Sequence, residues 1–419
     1  MHPLSTPNEF AHPPQPLTRR QVLVRALALG GLTALSAAAP AASDAHNDWS
    51  QIVRVAKGQT VYFNAWGGSP QINAYIDWAS QEIQRQFGIR LIHVKVSDIA
   101  QTVARITQEL KRGKQQGGSV DLLWLNGENF ARLKREGALM GPFTSNLPNM
   151  RWVDTQGKPT TLLDFGEATD GLEAPWGMAQ LSFFADRLRL ETPPQTVQDW
   201  LALAQSRPGQ LTYPQPPDFH GTTWLKQWLM SLTSDARVLY TPWNAQAFDA
   251  ATAPLWAYLD ALHPHLWRGG RQFAASAAAM RQGVADQSLL IGVTFNPNEA
   301  ASEIAAGRLP RTVQTFQLQG GTIGNTHFLA IPRNSNASAA SQVVVNFLLS
   351  PSAQARKADI QVWGDPTVLN LSALNASDRA AFAPLTAPGA LRDPQPTLPE
   401  PHASWVQPLE DAWRARYAR

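Results

Sequence analysis

Fifteen tryptophans against six tyrosines make large aromatic rings the first candidates for chemistry, and what they offer is stacking of a planar or cationic ligand. Trp66 and Trp176 stand beside glycines, in Ala65-Trp66-Gly67-Gly68 and Pro175-Trp176-Gly177. Missing side chains there let backbone N–H groups approach whatever the ring covers. Asn126, Glu128 and Asn296 add hydrogen-bonding groups in short Asn/Gly/Pro loops, and Glu128 adds a counter-charge. Tyr213 precedes, and Gly221 and Thr222 lie within, Asp218–Thr223, a stretch preceding a helix whose free N–H groups suit an anion. Asn325 and His327 lie in a glycine-flanked extended stretch, where His327 can equally fill space. Every one of these residues also has a structural reading, as core ring, turn or helix cap.

Catalytic constellations are harder to find. The chain carries no G-x-S-x-G, H-E-x-x-H, Walker loop or strand-borne G-x-G-x-x-G. His263-Pro264-His265 is the close histidine pair of the chain after residue 43, and the proline suits a turn better than a chelate. Asp121 and Glu128 bracket one predicted strand and form the one acid/base pair to consider. Zero cysteines exclude disulfides, thiol nucleophiles and thiolate metal sites. No cofactor and no metal site is expected.

With 419 residues the chain is long for one core, so two or three domains are expected. An apolar fraction of 44% with 16% charged residues belongs to a folded protein. Lys+Arg 35 against Asp+Glu 32 gives +3. Arg19, Arg20, Arg25 and Glu9 lie in the first 43 residues, and without them the balance is 32 against 31. That leaves no basic surplus for a nucleic-acid backbone.

The elements that must position the candidates alternate between strand and helix. Thr60–Trp66 reads as a buried strand, followed by a helix with Ser69 as N-cap and Pro70 first. Ile72, Ile76, Ala79, Ile83 and Phe87 form its core-facing stripe. Ile89–Val96 is a second strand, Ile99–Leu110 a second helix, and Val120–Leu125 a third strand. This rhythm predicts a mostly parallel sheet, with ligands beyond the carboxyl ends of its strands. The same grammar recurs with a strand at Gln210–Pro214, a helix from Trp224 and a strand at Leu289–Phe295. Two extended connectors, around residues 174–184 and 320–331, would join two α/β lobes. Trp405, Leu409, Trp413 and Tyr417 recur every fourth residue, which makes a terminal helix that must dock.

Residues 1–43 read as an export signal. Thr18-Arg19-Arg20-Gln21-Val22-Leu23 is a twin-arginine signature, and Ala26–Ala39 is apolar but too short to span a bilayer. Cleavage is expected near residues 41–43, which gives a periplasmic protein without a membrane anchor.

Phe347-Leu348-Leu349-Ser350-Pro351-Ser352-Ala353-Gln354 resembles the late helix of family-1 extracellular solute-binding proteins, which feed ABC importers. The phrases YFNAWGGSPQIN, GGSVDLLWLNGENF, APWGMAQL, TYPQPPDFHGT, APLWAYLDALHPHLWR, TFNPNEA and GNTHFLAIP resemble its YnjB-like branch, distantly similar to thiamine carriers. The resemblance runs from about Trp49 to Arg419. It implies a two-lobed type II periplasmic-binding fold with two crossing hinge strands. The lobes are expected at 44–175 and 176–320, with 321–419 returning to the first. It also implies a monomer that captures a small solute between its lobes, thiamine-like or otherwise cationic or phosphorylated, for a permease/ATPase complex. Its expected ligand-binding set is Trp66, Gly67, Gly68, Asn126, Glu128, Trp176, Tyr213, Gly221, Thr222, Asn296 and Asn325, without catalysis. The competing reading is an exported hydrolase on the same scaffold, since fold does not fix function.

Overall fold

A computed structural model describes residues 43–125, 127–382 and 387–418. The twin-arginine stretch, the apolar run behind it and Asn126 lie outside these residues.

Three parallel strands open the fold: β1 (Thr60–Trp66), β2 (Arg90–Val96) and β3 (Leu122–Leu125), in the order β3-β1-β2. Their alternation sorts side chains to two faces. Val61, Phe63 and Ala65 enter one core, and Leu123 and Leu125 enter another. The helix Pro70–Phe87 starts as predicted, with the Ser69 hydroxyl accepting from the Ile72 N–H at 3.4 Å. It ends on Gly88 at φ 66°, a left-handed position that suits glycine. Ile72, Ile76, Ala79 and Ile83 are buried on the first face, and Phe87 packs at its edge. The helix Ile99–Lys111 buries Val103 and Ile106 on the second.

After a small hairpin of β4 (Leu163–Asp164) and β5 (Glu167–Ala168) comes β6 (Glu173–Gln180). Only Leu181 separates β6 from β7 (Ser182–Asp186), so one extended segment crosses from the large sheet into a small one. There β7 is central between β8 (Ile291–Thr294) and β9 (Val313–Phe316). β10 (Thr322–Ala330) makes the return crossing, antiparallel to β6 and to β3, and β11 (Thr397–Leu398) pairs with its start.

Three expectations change. The second unit is not a repeat of the first, because both pairings of β7 are antiparallel. Gln210–Pro214 forms no strand beyond one bridge, Pro214 to Ala274. Pro214, Pro216 and Pro217 lack the N–H donors that would extend a ladder. The expected lobe boundary at 175/176 falls inside β6, which stays with the large sheet as far as Gln180.

The tail departs from expectation as well. The helices Ser338–Leu348 and Pro351–Ala358 do return to the first core. The terminal helix Val406–Tyr417 instead docks on the core of the small sheet, through Trp405, Leu409 and Trp413. Trp224 and Trp228 stack there at 3.7 Å, and Tyr213 stacks on Trp224 at 4.2 Å. The Tyr213 hydroxyl accepts from Trp413 Nε1 at 2.8 Å and lies 2.7 Å from His263 Nε2.

With the phenol donating to His263, the imidazole is neutral, and burial pushes its pKa down from 6.5 to about 4. A base depressed in this way adds stability above its unfolded pKa and loses it as the pH falls toward the folded value. Between pH 6.5 and 4 the wild type should therefore lose more stability than His263→Gln, by up to about 3 kcal/mol. Urea unfolding at the two pH values measures the difference, and equal losses would reject a neutral, buried His263.

Candidate functional site

The carboxyl ends of β1 and β3 supply one wall. At the end of β1, Trp66 is 41% exposed although its neighbours along the strand are buried. A Cβ on Gly68 would lie 2.6 Å from the indole Cε2, so only glycine lets the chain fold this closely over the ring. Gly67 donates to Val96 O at 3.0 Å and accepts from Asn73 Nδ2 at 3.0 Å, which pins the loop.

At the end of β3, Gly127 turns the chain at φ 64° into the helix Glu128–Arg135. Its N–H donates to Asp164 Oδ2 at 2.7 Å, and the Phe165 ring occupies the space that a Cβ on Gly127 would need. That hairpin contact holds Glu128 as the first helical residue. Glu128 is solvent-accessible, yet desolvation raises its pKa, with Lys226, Glu400 and Asp98 also acting on it. The carboxylate is thus reachable from solvent while neighbouring chain withdraws part of its hydration.

The opposite wall is the helix Phe219–Leu232 with the chain tail packed on it. Lys226 Nζ meets Glu400 Oε2 at 2.5 Å, both buried. Asn325 Nδ2 donates to Glu400 Oε1 at 3.2 Å, and Thr222 Oγ1 donates to Glu410 Oε1 at 2.6 Å. Burial raises the pKa of Glu400 and of Glu410, and Glu128 adds to the rise at Glu410. Lys226 thus pairs directly with Glu400 and acts at longer range on Glu128 and Glu410, and Arg414 also acts on Glu410. Sequence reasoning missed Glu400, Glu410 and Lys226. The four-residue spacing of Thr222 and Lys226 was a usable signal for one face of a helix. Nothing local marks Glu400, which comes from the proline-rich tail.

Trp66, Gly67, Gly68 and Glu128 are thus on one wall, with Gly221, Thr222 and Asn325 near the other. The remaining expected residues go elsewhere. Trp176 is fully buried among Trp124, Trp363 and Tyr75, at 5.2, 5.5 and 6.4 Å between ring centroids. Tyr213 is fully buried in the other core. Neither ring has a face left for a solute, because each is fully enclosed by its core. Asn296 donates to Trp363 O at 3.3 Å and accepts from the Asn298 N–H at 2.9 Å.

The expected anion seat at the helix start is also filled. Asp218 Oδ1 accepts from the N–H groups of His220 and Gly221, at 2.9 and 3.2 Å. A Cβ on Gly221 would lie 2.9 Å from the Pro214 carbonyl carbon, so glycine there serves a close approach of backbone. The Asp121–Glu128 pair dissolves too. Asp121 sits before β3, buried, and accepts from Tyr62 N, Ser335 Oγ, Asn336 N and Ala337 N at 2.9–3.0 Å. Among the described residues, no group of three His, Asp or Glu is arranged to hold a metal ion.

Residues 78–383 match the model of the family described as bacterial extracellular solute-binding protein. The chain belongs to this family. It is 48% identical to Protein YnjB of Escherichia coli (strain K12) over 371 residues, 88% of this chain and 94% of that one. Among solved structures it is similar to the TpPotD lipoprotein of Treponema pallidum, with TM-score 0.64, 14% identity, and 86% of this chain and all of the other covered. It is also similar to the binding protein AfuA of Actinobacillus pleuropneumoniae, solved with fructose-6-phosphate, with TM-score 0.57, 15% identity, and 86% and 99% covered. At such identities the likeness concerns the fold: two lobes joined by crossing strands. As a family member the chain is an extracellular solute-binding protein, not an enzyme. No helix among the described residues is long and apolar enough to cross a membrane.

In this solute-binding protein the crossing strands carry a second charged cluster. His327 of β10 lies 3.1 Å from Asp365 Oδ1, and Lys357 donates to Asp365 Oδ2. Burial works against the Asp365 carboxylate, but Lys357 and His327 outweigh it and hold its pKa below the usual range. Gly177 of β6 has no room for a side chain: a Cβ would collide with Asp365 and lie 2.7 Å from His327 Cδ2. The neighbouring carbonyls of Trp363 and Gly364 accept from Ser302 Oγ at 3.2 Å and Asn298 Nδ2 at 2.8 Å, reaching residues that follow β8. Gln71 Nε2 adds a bond to Glu303 Oε1 at 2.8 Å. One short segment therefore touches the crossing strand and both lobes.

Proposed function

We propose that the protein captures a small solute between Trp66 and Glu128 on one lobe and the Phe219–Leu232 helix on the other. It closes about β6 and β10 and presents the closed form to a permease and its ATPase. It does so in the periplasm as a monomer, after removal of the leader near residues 41–43. The observation that carries this reading is the exposed Trp66 indole on the same wall as an accessible, desolvated Glu128. The expected solute class is small and cationic or phosphorylated, with thiamine-like molecules included. Capture needs no covalent step. Hydrolysis has no support from the one acid/base pair the sequence offered, since Asp121 is a buried structural acceptor.

The test is a thermal-melt panel of thiamine and its phosphates, polyamines, phosphonates, amino acids, sugars and ferric citrate. A solute at 100 times its Kd adds about 2.7 kcal/mol, which moves the melt by a few degrees. Trp66→Ala should then weaken binding of the active solute by at least ~1 kcal/mol in titration calorimetry. An unchanged Kd would remove Trp66 from the site.

A further inference from the structure

Besides the crossing strands β6 and β10, a further segment runs from the first lobe to the second. It begins at Lys158, whose ammonium donates to Thr367 O and Leu369 O at 3.0 and 2.9 Å. Thr160 Oγ1 then meets Thr326 Oγ1 of β10 at 3.1 Å. The β4–β5 hairpin that follows is tied to the first lobe by Lys134, which donates to Ala168 O at 2.5 Å and pairs with Asp170 at 2.8 Å. At the hairpin tip Phe165 is 4% exposed and packs against Ala131 and Ala403. The Lys226 ammonium stands 4.3 Å from its ring centroid, and its carbonyl accepts from the Ala403 N–H at 3.3 Å.

Lys226 and Ala403 belong to the second lobe. Lys226 is on the helix whose Trp224, Leu225 and Trp228 enter the small-sheet core. The tail around Ala403 is tied to the same lobe, by His402 N to Leu239 O at 2.8 Å and Trp405 Nε1 to Thr241 O at 2.9 Å. A second observation is independent of these contacts. Phe165 has φ 45°, a left-handed conformation that costs a bulky residue steric energy and that glycine adopts freely. A large ring is thus kept where the turn favours glycine, and that ring fills the seat between the lobes. It also backs Gly127, whose turn starts the Glu128 helix.

We propose that Phe165 is a latch: seated between Lys226 and Ala403 it holds the lobes together, and it leaves that seat when they part about β6 and β10. Lys226 and Glu400 are both on the side of the seat, so their buried pair stays intact on release and no charge is stranded. Parting gives up one cation–π contact, one hydrogen bond and the burial of one ring, which suits a contact made and broken repeatedly. This inference rests on the interlobe-capture reading above.

The test compares the purified full chain, freed of carried solute, with Phe165→Gly and Phe165→Leu by small-angle scattering and by hydrogen exchange over residues 400–405. A residue that serves only the turn is improved by Phe165→Gly, which relieves the strain and leaves the radius of gyration unchanged. The expected result is instead a larger radius, with the Ala403 N–H exchanging at least about tenfold faster and the amides of the terminal helix unaffected. If the glycine variant fails to fold, Phe165→Leu decides: it keeps an apolar filler but loses the ring under Lys226, so it must show the same two changes. Faster exchange at an unchanged radius marks a local packing residue and overturns the latch. Ala403 exchange that is faster than the terminal helix in the wild type, with neither variant altering it or the radius, overturns the latch and leaves lobe closure standing. Ala403 exchange as slow as the terminal helix in all three proteins shows lobes that never part and overturns both.

Discussion

Lys357→Met is expected to lower the stability of the protein by about 3–5 kcal/mol, measured by urea unfolding. Lys357 and Asp365 are 0% and 1% exposed. The ammonium sits over the rings of Trp363 and Trp176, 5.3 and 5.9 Å from their centroids, and also reaches Pro366 O at 3.4 Å. Removing it leaves a carboxylate among tryptophans with His327 as its remaining side-chain partner. The double variant Lys357→Met/Asp365→Leu should recover most of the loss, because a buried pair replaced by apolar groups escapes the desolvation of both ions. A single-variant loss below about 1 kcal/mol would show that water or another cation reaches Asp365. The segment that holds this pair also accepts hydrogen bonds from Asn296, Asn298 and Ser302. Solute affinity should therefore change in Lys357→Met and return in the double variant.

Trp413→Ala is the second large effect, at about 3–5 kcal/mol. The ring is fully buried, lies 5.1 Å from Phe273 and 5.9 Å from Tyr417 between centroids, and donates to the Tyr213 hydroxyl. Truncation opens a cavity between the terminal helix and the small-sheet core and strips Tyr213 of a donor. Arg414→Ala is the control on the same helix. Its exposed pair with Asp411 at 2.8 Å contributes at most about 1 kcal/mol. If the two variants unfold alike, the terminal helix is peripheral and its place in the small-sheet core is wrong.

Local pattern made much of the first lobe legible. The β1 run, the Ser69-Pro70 helix start and the Ile72-Ile76-Ala79-Ile83 stripe are short-range signals, and the structure has all of them. The glycines beside Trp66 marked a close backbone approach, and Gly68 makes one. The same local signal misled at Trp176. A glycine follows it for a different reason, room for the Asp365–Lys357–His327 cluster, while the ring itself is sealed in the core. Tyr213 failed in the same way, since exposure depends on what the rest of the chain lays over a ring.

The acidic wall was the least legible. Glu128 comes from residue 128, Lys226 from a helix about a hundred positions later, and Glu400 from a proline-rich tail with no periodic pattern. The period-four stripe Trp405-Leu409-Trp413 required the terminal helix to dock, but a stripe carries no address for its partner. By itself, then, the sequence determined the parallel β1–β3 unit, the two crossing segments, the family and the exposed aromatic at the end of β1. The tertiary structure alone decided the antiparallel second sheet, the terminal helix's seat and the pairing of Lys226 with Glu400, within range of Glu128 and Glu410. Strand and helix periodicity are set by neighbours a few residues apart, whereas charge pairing and burial are set by whichever distant segments the packed fold brings into contact.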